Sequence, residues 1–235
     1  MSTKIGNSRT GSDGTTTPKG RAARERIYVS SIRLIQAGGY ESLTVPAICA
    51  AAGVSVGAFY HHFESKSDIL LRYVSEESDL LMEYYRGLEA LPRAEALLRS
   101  VEYFFSFFAV KGRSFVAAFL GIIFSSGGAY YDMGRFSIVA IIEDALSRGA
   151  AAGEFRAVDE RIVGLARGVI LDLMVTWCVA TNSDVATNSG VDVDAGGSAG
   201  RDSGPGDDPA ELPAAGRARM AALLDLLRVD PPSAC

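Results

Sequence analysis

The chain is expected to be all α-helical, with an N-terminal three-helix helix-turn-helix domain followed by a larger helical body. Three observations predict this. Apolar residues recur at three- and four-residue spacing through most of the 235 residues. No run alternates apolar and polar residues as a strand would. Ser, Thr and Gly stand where helices should start and stop.

Residues 1–20 are rich in Ser, Thr and Gly and are expected to form a flexible arm. From Arg21 a helical rhythm places Ile27, Ser31, Leu34, Ile35 and Gly38 on one face, and Gly38-Gly39 stops the helix. Thr44 stands as an N-cap, its hydroxyl able to accept from the amides of the next turn, and Pro46 occupies the first turn, where no N–H is needed. Val45, Ile48, Cys49 and Ala52 form the inward stripe of this short helix, which Gly53 ends. Ser55 caps a second short helix, in which Phe59 and Phe63 share a face. Ser65 through Asp68 read as a capping box with Asp in place of Glu, opening a long helix that runs past Tyr84. Further helices are expected at about 94–110, 114–126, 131–151, 158–181 and 210–228. The segment 182–209 is dense in Gly, Asp and Ser, without aromatics or an apolar face, and is expected to be a disordered insertion.

Charge divides the chain. Residues 1–73 hold nine Lys/Arg against five Asp/Glu, whereas 74–235 hold fourteen against twenty-three, so a net charge of −5 conceals a basic N-terminal module on an acidic body. Cys49, Cys178 and Cys235 are widely spaced with no CxxC pair, which gives no support to a structural zinc or redox motif; Cys49 and Cys178 are expected to be buried as small hydrophobes. The N-terminus has no apolar signal region, and the most apolar stretch, FVAAFLGIIF at 115–124, is half the ~20 residues a span requires. A soluble, cytoplasmic protein with no membrane partner is expected.

The stretch AGVSVGAFYHHFESKSDIL at 52–70 gathers both histidines beside Tyr60, Phe63 and Lys66. A metal site is disfavoured, because adjacent helical residues point ~100° apart and no carboxylate or thiol stands four residues away. A nucleic-acid reader fits better. Phe59 and Phe63 lock the second helix onto the first, leaving Val56, Gly57, Ala58, Tyr60, His61 and His62 turned toward a major groove. Lys66 adds charge at the next helix's N-terminus.

The run from Thr44 through VPAI, AAGVSVGAFYHHF and ESKSDIL resembles the DNA-binding signature of the tetracycline-repressor (TetR) family, over about residues 21–70 and without gaps. The resemblance implies a homodimer whose body, residues 71–235, carries a ligand pocket and the dimer interface. It implies phosphate contacts for Thr44, Tyr60, His62 and Lys66, with Ser55 capping the recognition helix, and base-facing positions for Val56, Gly57, Ala58 and His61. Residues 56–58 lack the Lys, Arg, Gln or Asn that read base edges by paired hydrogen bonds, so readout would rely on thymine methyls, backbone approach at Gly57 and DNA shape. The arm with Lys4, Arg9 and Lys19 would reach an adjacent groove.

In the body, aromatics are dense at 103–136. Phe104, Phe108, Phe119, Phe124, Phe136 and Trp177 are the candidate lining of an apolar cavity, and Arg167 and Asp172 its candidate polar contacts. The 158–181 helix is apolar over more than one face and, by the resemblance, pairs with 210–228 and their copies in a four-helix bundle. The reading is thus a regulator binding a double-stranded operator, homodimeric, released by a small hydrophobic effector, with no cofactor and no catalysis. Two rivals stay open: a DNA-binding regulator answering a protein partner, and an enzyme acting on a hydrophobic small molecule. Against the enzyme, the chain lacks GxSxG, HExxH and phosphate-loop motifs and has no histidine beyond residue 62.

Overall fold

The computed structural model describes residues 17–125, 137–179 and 208–228. Nine α-helices stand among the described residues: α1 (Pro18–Gly38), α2 (Val45–Ala52), α3 (Val56–His62), α4 (Lys66–Arg86), α5 (Arg93–Lys111), α6 (Arg113–Ser125), α7 (Ser137–Ala151), α8 (Glu160–Val179) and α9 (Leu212–Leu227). Short 3₁₀ turns at Tyr40–Ser42 and Pro209–Glu211 precede α2 and α9. The β pairing among the described residues is one isolated bridge, Phe155 to Arg228.

Local chemistry accounts for the first four helices. Thr17 accepts from the Gly20 N–H and Pro18 occupies the first turn, so α1 begins three residues ahead of the expected Arg21, inside the segment expected to be an arm. Lys19 therefore lies in α1, whereas Lys4 and Arg9 are outside the described residues. Thr44 and Ser55 accept from Ala47 and Ala58, as their positions predict. Gly53 turns the chain between α2 and α3 at φ 64°, ψ 43°, a left-handed conformation that suits glycine. Ser65 and Asp68 form the expected capping box. The buried face of α1 is Ile27, Tyr28, Ser31 and Ile35; Gly38 is exposed and Tyr28 takes a place not expected of it. Tyr28 donates to Glu76 of α4 at 2.5 Å, and Arg72, stacked on its ring, joins Glu25 to Glu76, clasping α1 to α4.

The body is organised about α5, which packs against α4, α6, α7 and α9. Leu97, Val101, Phe105 and Phe108 of α5 meet Ile141, Ile142 and Ala145 of α7 and Met220 and Leu224 of α9 in one core. The α5 N-terminus is capped from a distance: Glu154, sixty-one residues on, accepts from the Arg93 and Ala94 N–H groups. Tyr85 of α4 donates to Asp144 of α7 at 2.6 Å; burial and that bond push its hydroxyl up to about 12, keeping it a donor throughout the ordinary pH range.

Several boundaries differ from expectation. Residues 126–136, which include the first part of the expected 131–151 helix, and 180–207, which include most of the expected 182–209 insertion, lie outside the described residues. Asp208 and Pro209, expected to be its end, instead open the turn into α9, with Asp208 accepting from Ala210. Asp159 accepts from Arg161 and Ile162 and so starts α8 at Glu160. Among the described helices it is α8, and not the 115–124 stretch taken alone, that is long and apolar enough to cross a bilayer by length and composition. Here it packs against α6, α7 and α9.

Candidate nucleic-acid interface and apolar cavity

Phe59 and Phe63 are almost wholly buried and their rings stack at 6.0 Å, fixing α3 on the N-terminal core. Full burial of each ring contributes roughly 2–3 kcal/mol. The helical repeat then sends Val56, Gly57, Tyr60 and His61 to the solvent face, with Val56 48% and Tyr60 56% exposed. Large apolar and aromatic groups thus form an exposed surface on a helix held firmly to its core. Ala58 and His62 flank it, half-buried.

His61 and His62 meet edge to face at 5.0 Å. Burial first, then the neighbouring His61 and Arg24, hold the His62 imidazole below its ordinary value of 6.5. Arg24, which sequence reasoning did not single out, comes from α1 and lies over the Phe63 ring at 5.5 Å. The signal for it was available: Arg24 projects from the face of α1 beside Ile27, which packs into this core.

Thr44 and Ser55 are exposed and their hydroxyls cap α2 and α3. Lys66 is differently placed from the rest. Its Nζ donates to the Leu43 carbonyl at 3.2 Å and lies 4.6 Å from the centre of the Tyr40 ring, so it braces the start of α4 against the turn before α2. One N–H is used in this bond; an ammonium has two more to offer an anion.

The body holds an apolar cavity between α6, α7 and α8, with Phe104 of α5 closing one side. Phe104, Phe119 and Phe124 line it, as expected. Phe108 does not; its ring packs in the core between Phe104 and Phe119, at 4.9 and 5.6 Å. Nor does Trp177, which is buried beneath Arg113. Phe136 lies outside the described residues. Of the two expected polar contacts, Arg167 reaches the wall, whereas Asp172 is exposed and paired with Arg219 of α9. The remaining lining is mostly aliphatic, including Ile123, Ile138, Ile142, Ile170 and Met174. The cavity measures about 40 Å³, room for a few waters and far below the ~300 Å³ of a typical ligand site. A ligand would have to part its walls.

Ring contacts run from the cavity's wall helix to the N-terminal domain. Phe115, at the start of the wall helix α6, packs edge to face on Tyr40 at 6.3 Å and on Tyr73 of α4 at 6.1 Å. The Tyr40 ring in turn carries Lys66.

A short capped helix pair with an exposed recognition face, set on a helical body, defines a helix-turn-helix DNA-binding protein. Comparison with known proteins makes the class specific: residues 27–73 match the bacterial regulatory proteins of the tetR family. The match covers the helix-turn-helix segment, so it is this N-terminal part of the chain that is similar to the TetR-family regulators. The chain is 33% identical over 82 residues to the uncharacterized HTH-type transcriptional regulator YerO of Bacillus subtilis, a match covering 33% of this chain and 28% of that protein. The fold is shared with FadR of Thermus thermophilus, a TetR-family transcriptional repressor solved with lauroyl-CoA (TM-score 0.64, 20% identity, 90% of this chain and 98% of that one). It is shared too with FadR of Bacillus subtilis solved with stearoyl-CoA (TM-score 0.52, 19% identity, 85% and 97%).

Proposed function

We propose that this regulator is a homodimeric, cytoplasmic repressor that leaves a palindromic operator when a small apolar molecule enters the α6–α8 cavity. The observation that carries the reading is the Phe115–Tyr40 contact, because it joins a cavity wall to the segment holding the DNA-facing helices. Two recognition helices must sit about one DNA turn apart, ~34 Å. A ligand that favours a different spacing lowers DNA affinity by the same coupling energy, typically ~1–3 kcal/mol.

Dimerisation is supported by the outer faces of α8 and α9. Leu165, Val179 and Leu226 are 62, 57 and 75% exposed, and Gly164 and Gly168, on either side of Leu165 in α8, leave open space above the backbone. Such a face suits close approach of a second copy. The acyl-CoA ligands of the two FadR proteins are consistent with an apolar effector here. The test is selection of bound duplexes from a random pool, which should enrich a palindrome. Non-palindromic enrichment, or none, would defeat the dimeric operator reading.

A second reading, control by a protein partner, is favoured by the small size of the cavity, about 40 Å³. Small apolar molecules that release the selected duplex would decide against it.

The His62 position adds a pH prediction. Its folded value is depressed, so the neutral form is favoured and fold stability declines as pH falls through the ordinary histidine range. A phosphate beside His62 acts in the opposite direction, favouring the imidazolium, so DNA binding takes up a proton. Operator affinity should therefore rise as pH is lowered from 7.5 to 5.5, by up to about tenfold, and His62→Gln should flatten the profile. An affinity independent of pH in the native sequence would remove His62 from the phosphate contacts.

A further inference from the structure

We propose that the molecule filling the cavity is an amphipathic anion, an apolar chain ending in a carboxylate, with Arg167 holding the carboxylate in exchange for Glu143; the proposal rests on the cavity being the effector site. Among the described residues, Arg167 is the sole polar residue of the lining. Ile170, Leu171 and Met174 follow it at three, four and seven residues, so the guanidinium stands at one end of an apolar strip along α8. A chain laid against that strip has its terminus at the arginine.

The guanidinium is incompletely satisfied. One terminal nitrogen pairs with Glu143 of α7 and the other lies 3.8 Å from Glu160, while Nε is buried without an acceptor. A buried N–H left unpaired is costly, and a carboxylate presented side-on satisfies Nε and a terminal nitrogen together. An alcohol of the same chain length offers a single oxygen and no charge. The resident carboxylates are poor competitors, since Glu143 is about half exposed and Glu160 is 87% exposed, and pairs this solvated are weak. Exchange has a structural result. The Arg167–Glu143 pair ties α8 to α7 across the cavity, so releasing Glu143 unfastens the two walls that must part for the cavity to grow. An uncharged molecule leaves that clasp closed.

The chain's single tryptophan, Trp177, lies one turn beyond Met174 and reports on this region. Dodecanoate and 1-dodecanol, each below its aggregation limit, are titrated against the full chain with Trp177 fluorescence as readout. The native sequence should bind dodecanoate about tenfold or more tightly than dodecanol, the discrimination expected of a charged hydrogen-bonded contact. Arg167→Met should erase that preference. Glu143→Gln should tighten dodecanoate several-fold while leaving dodecanol unchanged, and it decides the matter if Arg167→Met fails to fold. Equal affinities in the native sequence, or a preference that survives in Arg167→Met, would overturn the head-group assignment and leave the cavity reading standing. Binding of neither amphiphile would overturn both.

Discussion

Gly216→Ala is expected to destabilise the fold by about 2 kcal/mol, and Gly216→Val by more, although neither touches a functional group. Gly216 lies on the buried face of α9 where that helix runs along α5. A Cβ there would stand 2.1 Å from Cδ2 and 2.5 Å from Cε2 of Phe105, against the ~3.5–4.0 Å of a normal carbon contact. The ring cannot yield easily. Phe105 is fully buried at the centre of the body, and the core around it draws on α5, α7 and α9. Alanine's better helix propensity returns about 1 kcal/mol, so a net loss of about 2 kcal/mol takes an overpacking cost at the top of the usual ~1–3 kcal/mol, as a ring with no room to move supplies. Thermal melts at fixed protein concentration should show a loss of several degrees. Phe105→Leu, destabilising alone, should recover stability when combined with Gly216→Ala, giving a coupling of about 1 kcal/mol or more. A Gly216→Ala protein as stable as the native one would mean that α5 and α9 pack less closely than the structure shows.

That contact also marks the limit of what the sequence discloses. Thr44, Ser55 and the Ser65–Asp68 box were legible because a cap and the amide it serves lie within three residues of one another. Phe59 and Phe63 were legible because a shared helical face is a matter of spacing alone. The Glu154 cap on α5, the Tyr28–Glu76 bond and the seat of Phe105 on Gly216 join residues far apart in the chain, and no local pattern announces them.

The candidate sites divide in the same way. The outward face of α3 follows from its periodicity, whereas the Lys66 bond to the Leu43 carbonyl spans twenty-three residues and required the fold. Aromatic density drew attention to the right region of the body but not to the right side chains. Phe108 and Trp177 turned into the core. Ile138, Ile142, Ile170 and Met174, which form much of the wall, look in the sequence like any other core residues. Which apolar side chains face a cavity depends on how three helices cross, a property of packing.

Lys66 carries the largest expected effect on DNA binding, and its two attachments allow structural and electrostatic roles to be separated. Lys66→Ala removes both the bond to Leu43 and the charge, so loss of affinity in that variant has two explanations. Lys66→Gln retains a polar N–H donor on a shorter side chain and removes the charge together with its contact to the Tyr40 ring, so its melting temperature is measured alongside its affinity. In the proposed dimer the substitution acts twice, once in each half-site. At ~1.5 kcal/mol for each charge-assisted contact, affinity should fall about a hundredfold in low salt. The plot of log affinity against log salt should become shallower by about two, one phosphate contact from each protomer. Tyr60→Ala, tested alongside, should weaken binding by about thirtyfold through two lost hydrogen bonds of ~1 kcal/mol. It should leave the salt slope almost unchanged, because a phenol neutralises no phosphate and releases no counterion. Should Lys66→Gln bind with native affinity and slope while Lys66→Ala melts early, Lys66 is a brace between α4 and the turn before α2, and the phosphate must be held by other donors. The amides at the α2 N-terminus beside Thr44 would be the first to examine.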